Sequence, residues 1–122
     1  MNIFHKRQGQ MGFQQAYFYT DTIHNFYPLL VDDTLKMVII NSWQNLVNRK
    51  LVEIYAYVIM PNHIHLIWQQ NKLNGKETPK GSLLKYTGHE LLKLLKAEGK
   101  SNLYEVNAAN KKHEIWQRDS LA

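Results

Sequence analysis

His63 and His65 stand one residue apart in the stretch Pro61-Asn62-His63-Ile64-His65-Leu66-Ile67-Trp68. In an extended strand successive side chains point to opposite faces, so the two imidazoles share one face and Ile64, Leu66 and Trp68 share the other. Two neutral imidazoles side by side can hold a divalent cation, although a complete site needs further donors. The sequence contains no cysteine. Those donors must therefore be histidine, carboxylate, amide or water, a set that suits magnesium or manganese as well as zinc. Without a metal, the same pair reads as two polar residues on a solvated strand face. His89, His113, Asn62 and Gln117 are further possible ligands, and each also reads as an ordinary surface residue.

The elements that must position the pair follow from pattern. Val52 to Met60 is rich in β-branched and aromatic residues and precedes the Pro-Asn turn, so strand, turn and returning strand form a hairpin. By strict alternation Tyr55 and Tyr57 fall on the histidine face. Upstream, Met1 to Gln15 is polar and loose, Ala16 to Thr22 reads as a first strand, and Ile23 to Val31 is a connection containing Pro28. Asp32 or Asp33 caps a helix, with Leu35, Val38, Ile39, Ser42, Trp43, Leu46 and Val47 on one face, ending at Asn48-Arg49-Lys50. At that spacing Trp43 reads as core rather than as a platform for a base. Gln70 to Gly81 is a loop. Ser82 caps a second helix running to about Glu98, with Leu84, Leu91, Leu92 and Leu95 as its stripe and Gly99 as its stop. Ser101 to Asn110 is polar, and His113 to Arg118 reads as a fourth strand. The order is βαββαβ, a ferredoxin-like α/β (α+β) arrangement with an antiparallel sheet and both helices on one face. Ile64, Leu66 and Trp68 should lie under the helices, and His63 and His65 on the open face.

A length of 122 residues fits one domain spanning 1–122. The chain is 44% hydrophobic and 20% charged, the balance of an ordinary soluble globular protein. No apolar run is long enough to span a membrane, and the first ten residues are too polar for a signal peptide, so a cytoplasmic protein with no membrane partner is expected. The net charge is +5 and uneven: residues 1–70 carry five Lys/Arg against four Asp/Glu, and residues 71–122 carry ten against six. That imbalance suggests a polyanionic partner. Lys85, Lys93, Lys96, Lys111, Lys112 and Arg118 are the candidate phosphate contacts, each of which also reads as part of a solvated face.

Tyr57-Val58-Ile59-Met60-Pro61-Asn62-His63-Ile64-His65-Leu66 closely resembles the VMPNHVHLL stretch of the single-tyrosine HUH transposases, a family that includes insertion-sequence and REP-associated tyrosine transposases. Ile115-Trp116-Gln117-Arg118 resembles that family's WQR strand, and the intervening loop and basic helix match in order. The resemblance covers roughly residues 16 to 120. It implies a ferredoxin-like fold and metal-dependent cleavage and rejoining of single-stranded DNA beside hairpins. His63 and His65 would be the ligands of Mg²⁺ or Mn²⁺. A tyrosine on a helix beyond the last strand would attack the scissile phosphate, leaving a 5′-phosphotyrosine and a free 3′-hydroxyl. The implied partners are single-stranded or hairpin DNA and a second copy of the chain.

One part of the family pattern has no counterpart here. The sequence ends at Ala122, a few residues past Arg118, so the nucleophile helix and the third metal ligand it brings are expected to be absent. The 122-residue chain is then expected to be a truncated core without nicking activity of its own. Tyr86, early in the second helix, and Tyr104, in the following loop, are the in-chain substitutes to weigh. Topology puts Tyr86 on the layer away from the histidines, while Tyr104 has no assigned place. Two alternatives remain open: a non-catalytic domain that binds hairpin or single-stranded nucleic acid, and a protein-interaction domain that is basic by chance.

Overall fold

A computed structural model of the chain describes residues 13–108 and 111–117. Three strands, β1 (Ala16–Thr22), β2 (Val52–Met60) and β3 (His63–Gln70), form an antiparallel sheet in the order β1-β3-β2. Two helices, α1 (Asp33–Asn48) and α2 (Pro79–Ala97), fill the intervals before β2 and after β3. A two-stranded ladder of β4 (Glu105–Ala108) and β5 (Lys111–His113) follows. The α+β fold matches the expected arrangement. No helix among the described residues is long and apolar enough to cross a membrane.

The alternating sequence of β3 explains its central place. Ile64, Leu66 and Trp68 are almost wholly buried, as are their cross-strand neighbours Tyr17 and Tyr19 on β1. Leu35, Ile39, Trp43 and Leu46 of α1 and Leu83, Leu91 and Leu95 of α2 complete the same core. Each fully buried large apolar side chain contributes about 2 kcal/mol. One polar pair sits inside this layer: the Tyr19 hydroxyl donates to the Asp21 carboxylate. Burial first, and then the charge of Asp21 and this bond, hold the phenol well above its ordinary pKa.

Both helices begin where side-chain oxygens meet orphan amides. Asp32 caps α1, accepting from the Thr34 amide at 2.8 Å. The second helix starts three residues before the expected Ser82. Thr78 accepts from the Gly81 amide at 3.0 Å, and Pro79 supplies the first turn, where its missing N–H costs nothing. Ser82 instead lies inside the helix, donating to Glu77 and accepting from Asn74. Lys50 and Gly99, both at positive φ, follow α1 and α2.

The expected fourth strand over His113–Arg118 is reduced to a single bridge. His113 ends β5, and Trp116 pairs antiparallel with Ile23 just beyond β1. The Gln117 amide donates to the Thr22 carbonyl at 2.7 Å, and the His24 amide donates to the Ile115 carbonyl at 2.8 Å. Arg118 lies outside the described residues. The stretch Ser101 to Asn110, expected as loop, contains a 3₁₀ turn and β4. Besides these backbone bonds, a side-chain bond ties the return segment to α2. The buried Trp116 indole N–H donates to the Thr87 hydroxyl at 2.9 Å, and Thr87 in turn donates to the Leu83 carbonyl at 2.6 Å. Thr87→Val keeps the shape but strands the indole donor. It is expected to destabilise the fold by about 1–3 kcal/mol, read as a lowered midpoint of urea unfolding.

Candidate functional site

Antiparallel pairing places facing residues on the same side of a sheet, so the open face can be read row by row. Thr22, His63 and Met60 form one row, Thr20, His65 and Val58 the next, and Phe18, Ile67 and Ala56 the third. The two imidazoles therefore share the open face, with ring centroids 4.6 Å apart and planes at 82°. Both rings are partly buried.

Each ring is held by its Nδ1. The His63 Nδ1–H donates to the Asn62 Oδ1 at 2.6 Å, an assignment fixed by the amide oxygen having no proton to give. The His65 Nδ1 shares a hydrogen bond of 2.8 Å with the Thr20 hydroxyl. In the tautomer in which the His65 Nδ1–H is also the donor, each Nε2 keeps its lone pair, the arrangement by which metal-ligating histidines are oriented from behind. Phe18 stacks on His65 at 5.5 Å between centroids. Burial first, and then the neighbouring His63, lower the His65 pKa below the ordinary histidine value. Both causes favour the neutral ring that can ligate near pH 7.

The Pro-Asn turn is pinned rather than free. The Ile23 amide donates to the Asn62 carbonyl at 2.8 Å, and the Leu30 amide donates to the Pro61 carbonyl at 2.8 Å. The Asn62 side-chain N–H donates to the Phe26 carbonyl at 3.5 Å. Asn25 and Phe26 both adopt positive φ, at 52° and 57°, a conformation that costs an ordinary residue about 1–2 kcal/mol. The Gln117 Oε1 accepts from the Asn25 amide at 3.1 Å and helps hold that bend. Asn62 and Gln117 thus support the loop beside the histidines. The sequence suggested them as ligands; their side-chain contacts here are those of supporting residues. Nothing in the sequence alone marks Thr20 and Phe18. The alternation of β1 placed them opposite Tyr17 and Tyr19, but which β3 residues they would face depends on register, which one sequence does not display.

The other candidates lie elsewhere. Tyr104 is buried in the turn Ser101–Tyr104, edge-on to Tyr27 with centroids 5.4 Å apart, and burial followed by Tyr27 raises its phenol pKa. Tyr86 is exposed on α2, in a cleft of about 500 Å³ between the helices that Asn45, Arg49, Lys85 and His89 also line. Within that cleft Lys85 pairs with Glu77 at 3.4 Å. Lys93 and Lys96 are exposed on α2. Lys111 and Lys112 have their backbone in β5, while their side chains, like Arg118, lie outside what is described. His113 is half-buried at the end of β5. Tyr57 does not join the histidine face: a bulge at Tyr55 shifts the phase of β2, so Tyr57 faces Leu66 and its ring meets Trp43 at 5.1 Å. Tyr55 keeps to the open face, donating to the Gln69 side-chain oxygen at 3.2 Å. Among the described residues no group of three or more His, Cys, Asp or Glu side chains comes together to hold a metal.

No family model matches the sequence, and no curated protein matches it. Among solved structures, that of a REP-associated tyrosine transposase bound to a REP hairpin is similar, with a TM-score of 0.50 at 20% identity. The match covers 98% of this chain and 59% of that one, so the present chain spans well under two thirds of that protein. At this identity the likeness establishes the fold alone, a three-stranded antiparallel sheet with two helices. In the present chain the middle strand, β3, carries His63 and His65.

Proposed function

We propose that this chain is a DNA-handling domain of the single-tyrosine HUH transposase type, in which His63 and His65 hold a divalent cation against a phosphate of single-stranded or hairpin DNA. The observation that carries the reading is the imidazole pair itself, 4.6 Å apart on a partly exposed sheet face. Asn62 and Thr20 orient the rings from behind. Two nitrogen donors without a carboxylate suit Mn²⁺ better than Mg²⁺, which prefers oxygen, and leave the remaining positions to water and phosphate. A cation bound there would polarise a phosphoryl oxygen. The chain's own part is to present two neutral nitrogens from a rigid central strand and to hold them still. Exposed Lys93 and Lys96 add charge for the DNA backbone.

A second reading is a hairpin or single-strand binder without chemistry of its own. It is favoured by the positions of Tyr86 and Tyr104, neither of which shares the histidine face. Gel-shift titration of a hairpin-bearing single-stranded oligonucleotide separates the two. The first reading expects binding that tightens with Mn²⁺ and relaxes with EDTA. Binding indifferent to metal supports the second reading. No binding even at low salt, where phosphate contacts are strongest, sinks both.

A further inference from the structure

We infer that the cleft between α1 and α2 is a nucleotide-binding site, separate from the histidine pair, that holds a phosphate at Arg49 and Lys85 and stacks a base on Tyr86. This goes beyond the reading above and needs no metal. The cleft measures about 500 Å³, within the ~300–1,000 Å³ usual for small-molecule sites. Asn41, Asn45 and Arg49 follow one another at one-turn spacing along one wall, and Lys85, Tyr86 and His89 stand along the other. A run of side-chain hydrogen bonds closes one end. The Arg49 guanidinium donates to the Asn74 Oδ1 at 2.6 Å and to the Asn45 Oδ1 at 3.5 Å. The Asn74 side-chain N–H donates to the Ser82 hydroxyl at 3.0 Å, Ser82 donates to Glu77 at 3.1 Å, and Glu77 pairs with Lys85 at 3.4 Å. Two backbone bonds between Asn74 and Glu77, at 2.8 and 3.0 Å, hold the loop that carries them.

The order of groups along the cleft sets the ligand. Amide oxygens aim the Arg49 guanidinium without cancelling its charge, and Glu77 answers only Lys85, so this end keeps one uncompensated positive charge. Most of the five guanidinium N–H donors are still unspent, and their fork suits a phosphate. Because the hydrogen-bonded run ties the end of α1 to the start of α2, Asn41 and His89 lie towards the opposite, neutral end, with Tyr86 between. Tyr86 is 54% exposed and has neither a ring partner nor a hydrogen-bond partner among the described residues. An exposed aromatic ring holds a base through its π-face. The Asn41 amide and the His89 imidazole offer donors and acceptors to the edge of that base. A bare anion would leave the ring unused, and an apolar ligand would leave the guanidinium without a counter-charge. A nucleotide uses both. Free nucleotides and nucleotides within a strand present the same two groups.

The test titrates the ¹⁵N-labelled full chain with deoxyadenosine 5′-monophosphate and follows the amide signals by two-dimensional NMR. EDTA is present throughout, so that no metal at the histidine pair contributes. Saturable shifts are expected at Asn45, Arg49, Lys85, Tyr86 and His89, and none at His63 or His65. Deoxyadenosine and inorganic phosphate, each carrying one half of the ligand, are expected to bind at least roughly tenfold more weakly. Arg49→Gln and Tyr86→Leu, both at exposed side chains, should each weaken binding roughly tenfold, while Tyr86→Phe stays close to wild type. Circular dichroism checks that each variant folds. A parallel titration with a short oligodeoxyadenylate identifies the source: tighter binding than the monophosphate, with the same losses in the variants, assigns a nucleotide within a strand, and weaker binding assigns a free one. Absence of saturable shifts with either ligand overturns the site, as do shifts centred on β3, phosphate binding as tightly as the monophosphate, or undiminished affinity in Arg49→Gln and Tyr86→Leu. Failure of Mn²⁺-dependent hairpin binding would sink the histidine reading and leave this one standing.

Discussion

Replacing His63 and His65 together with alanine is expected to lower the affinity for Mn²⁺ by roughly a hundredfold or more. Losing an orienting residue behind a ligand typically costs 10–100-fold, so losing both ligands should cost no less. The fold should survive. Both rings lie on the face away from the helices, and Phe18, on which His65 stacks, is itself partly exposed. The core beneath β3 is made by Ile64, Leu66 and Trp68, which the substitution leaves intact. Thermal unfolding should therefore shift little while metal binding collapses, and that separation distinguishes a ligand pair from two structural histidines. Electron paramagnetic resonance of free Mn²⁺ reads the affinity directly. Asn62→Ala, which leaves both rings in place but removes the acceptor at the His63 Nδ1, should give an intermediate loss near tenfold. An unchanged affinity in the double variant would mean that any cation binds elsewhere.

Much of this arrangement was written in periodicity. The alternation His63-Ile64-His65-Leu66 predicts one polar and one apolar face, and the structure has Ile64 and Leu66 at the bottom of the core and the histidines on the open side. Such alternation is legible because a strand that buries one face cannot slip by a residue without inverting every side chain. Helix α1 was legible for the analogous reason at period 3.6. What pattern does not carry is register between strands and breaks in phase. Tyr57 lies off the histidine face that strict alternation predicts, because a single bulge at Tyr55 restarts the alternation of β2. Thr20 and Phe18 carry no such signal, because their relation to His65 exists only through the pairing of β1 with β3. The fourth strand is shorter than its sequence pattern suggests for a different reason. Its apolar residues Ile115 and Trp116 are buried, but only Trp116 bridges to the β1 side, and its indole is held by the Thr87 hydroxyl of α2. Helix α2 begins before the expected Ser82 because proline in a first helical turn is as good a start signal as serine.

Mixing the 122-residue chain with hairpin-bearing single-stranded DNA and Mn²⁺ is expected to yield no covalent protein–DNA band on a denaturing gel. A tyrosine that attacks a phosphate must bring its oxygen to about 3–3.5 Å from phosphorus while the phosphate sits at the histidine pair. All seven tyrosines of the sequence lie among the described residues, and each is engaged elsewhere. Tyr17 and Tyr19 are buried on the helix side of β1, their hydroxyls donating to Gln15 and Asp21. Tyr27 and Tyr104 pack against each other, and the high phenol pKa of Tyr104 further opposes the phenolate that attack requires. Tyr57 leans on Trp43, and Tyr86 lines the cleft between the helices. Only Tyr55 among them shares the open face, and its hydroxyl reaches Gln69, two rows along β3 from His65. Two rows are about 14 Å at the strand rise, far beyond attacking distance. The nucleophile would have to come from outside residues 1–122. A band that vanishes in Tyr55→Phe would mean that β2 shifts toward the histidines when DNA binds. One that vanishes in Tyr104→Phe would require the turn at Ser101–Tyr104 to open and expose a ring that is now buried. Absence of any band together with Mn²⁺-dependent binding would leave His63 and His65 as a site that grips the phosphate without cutting beside it.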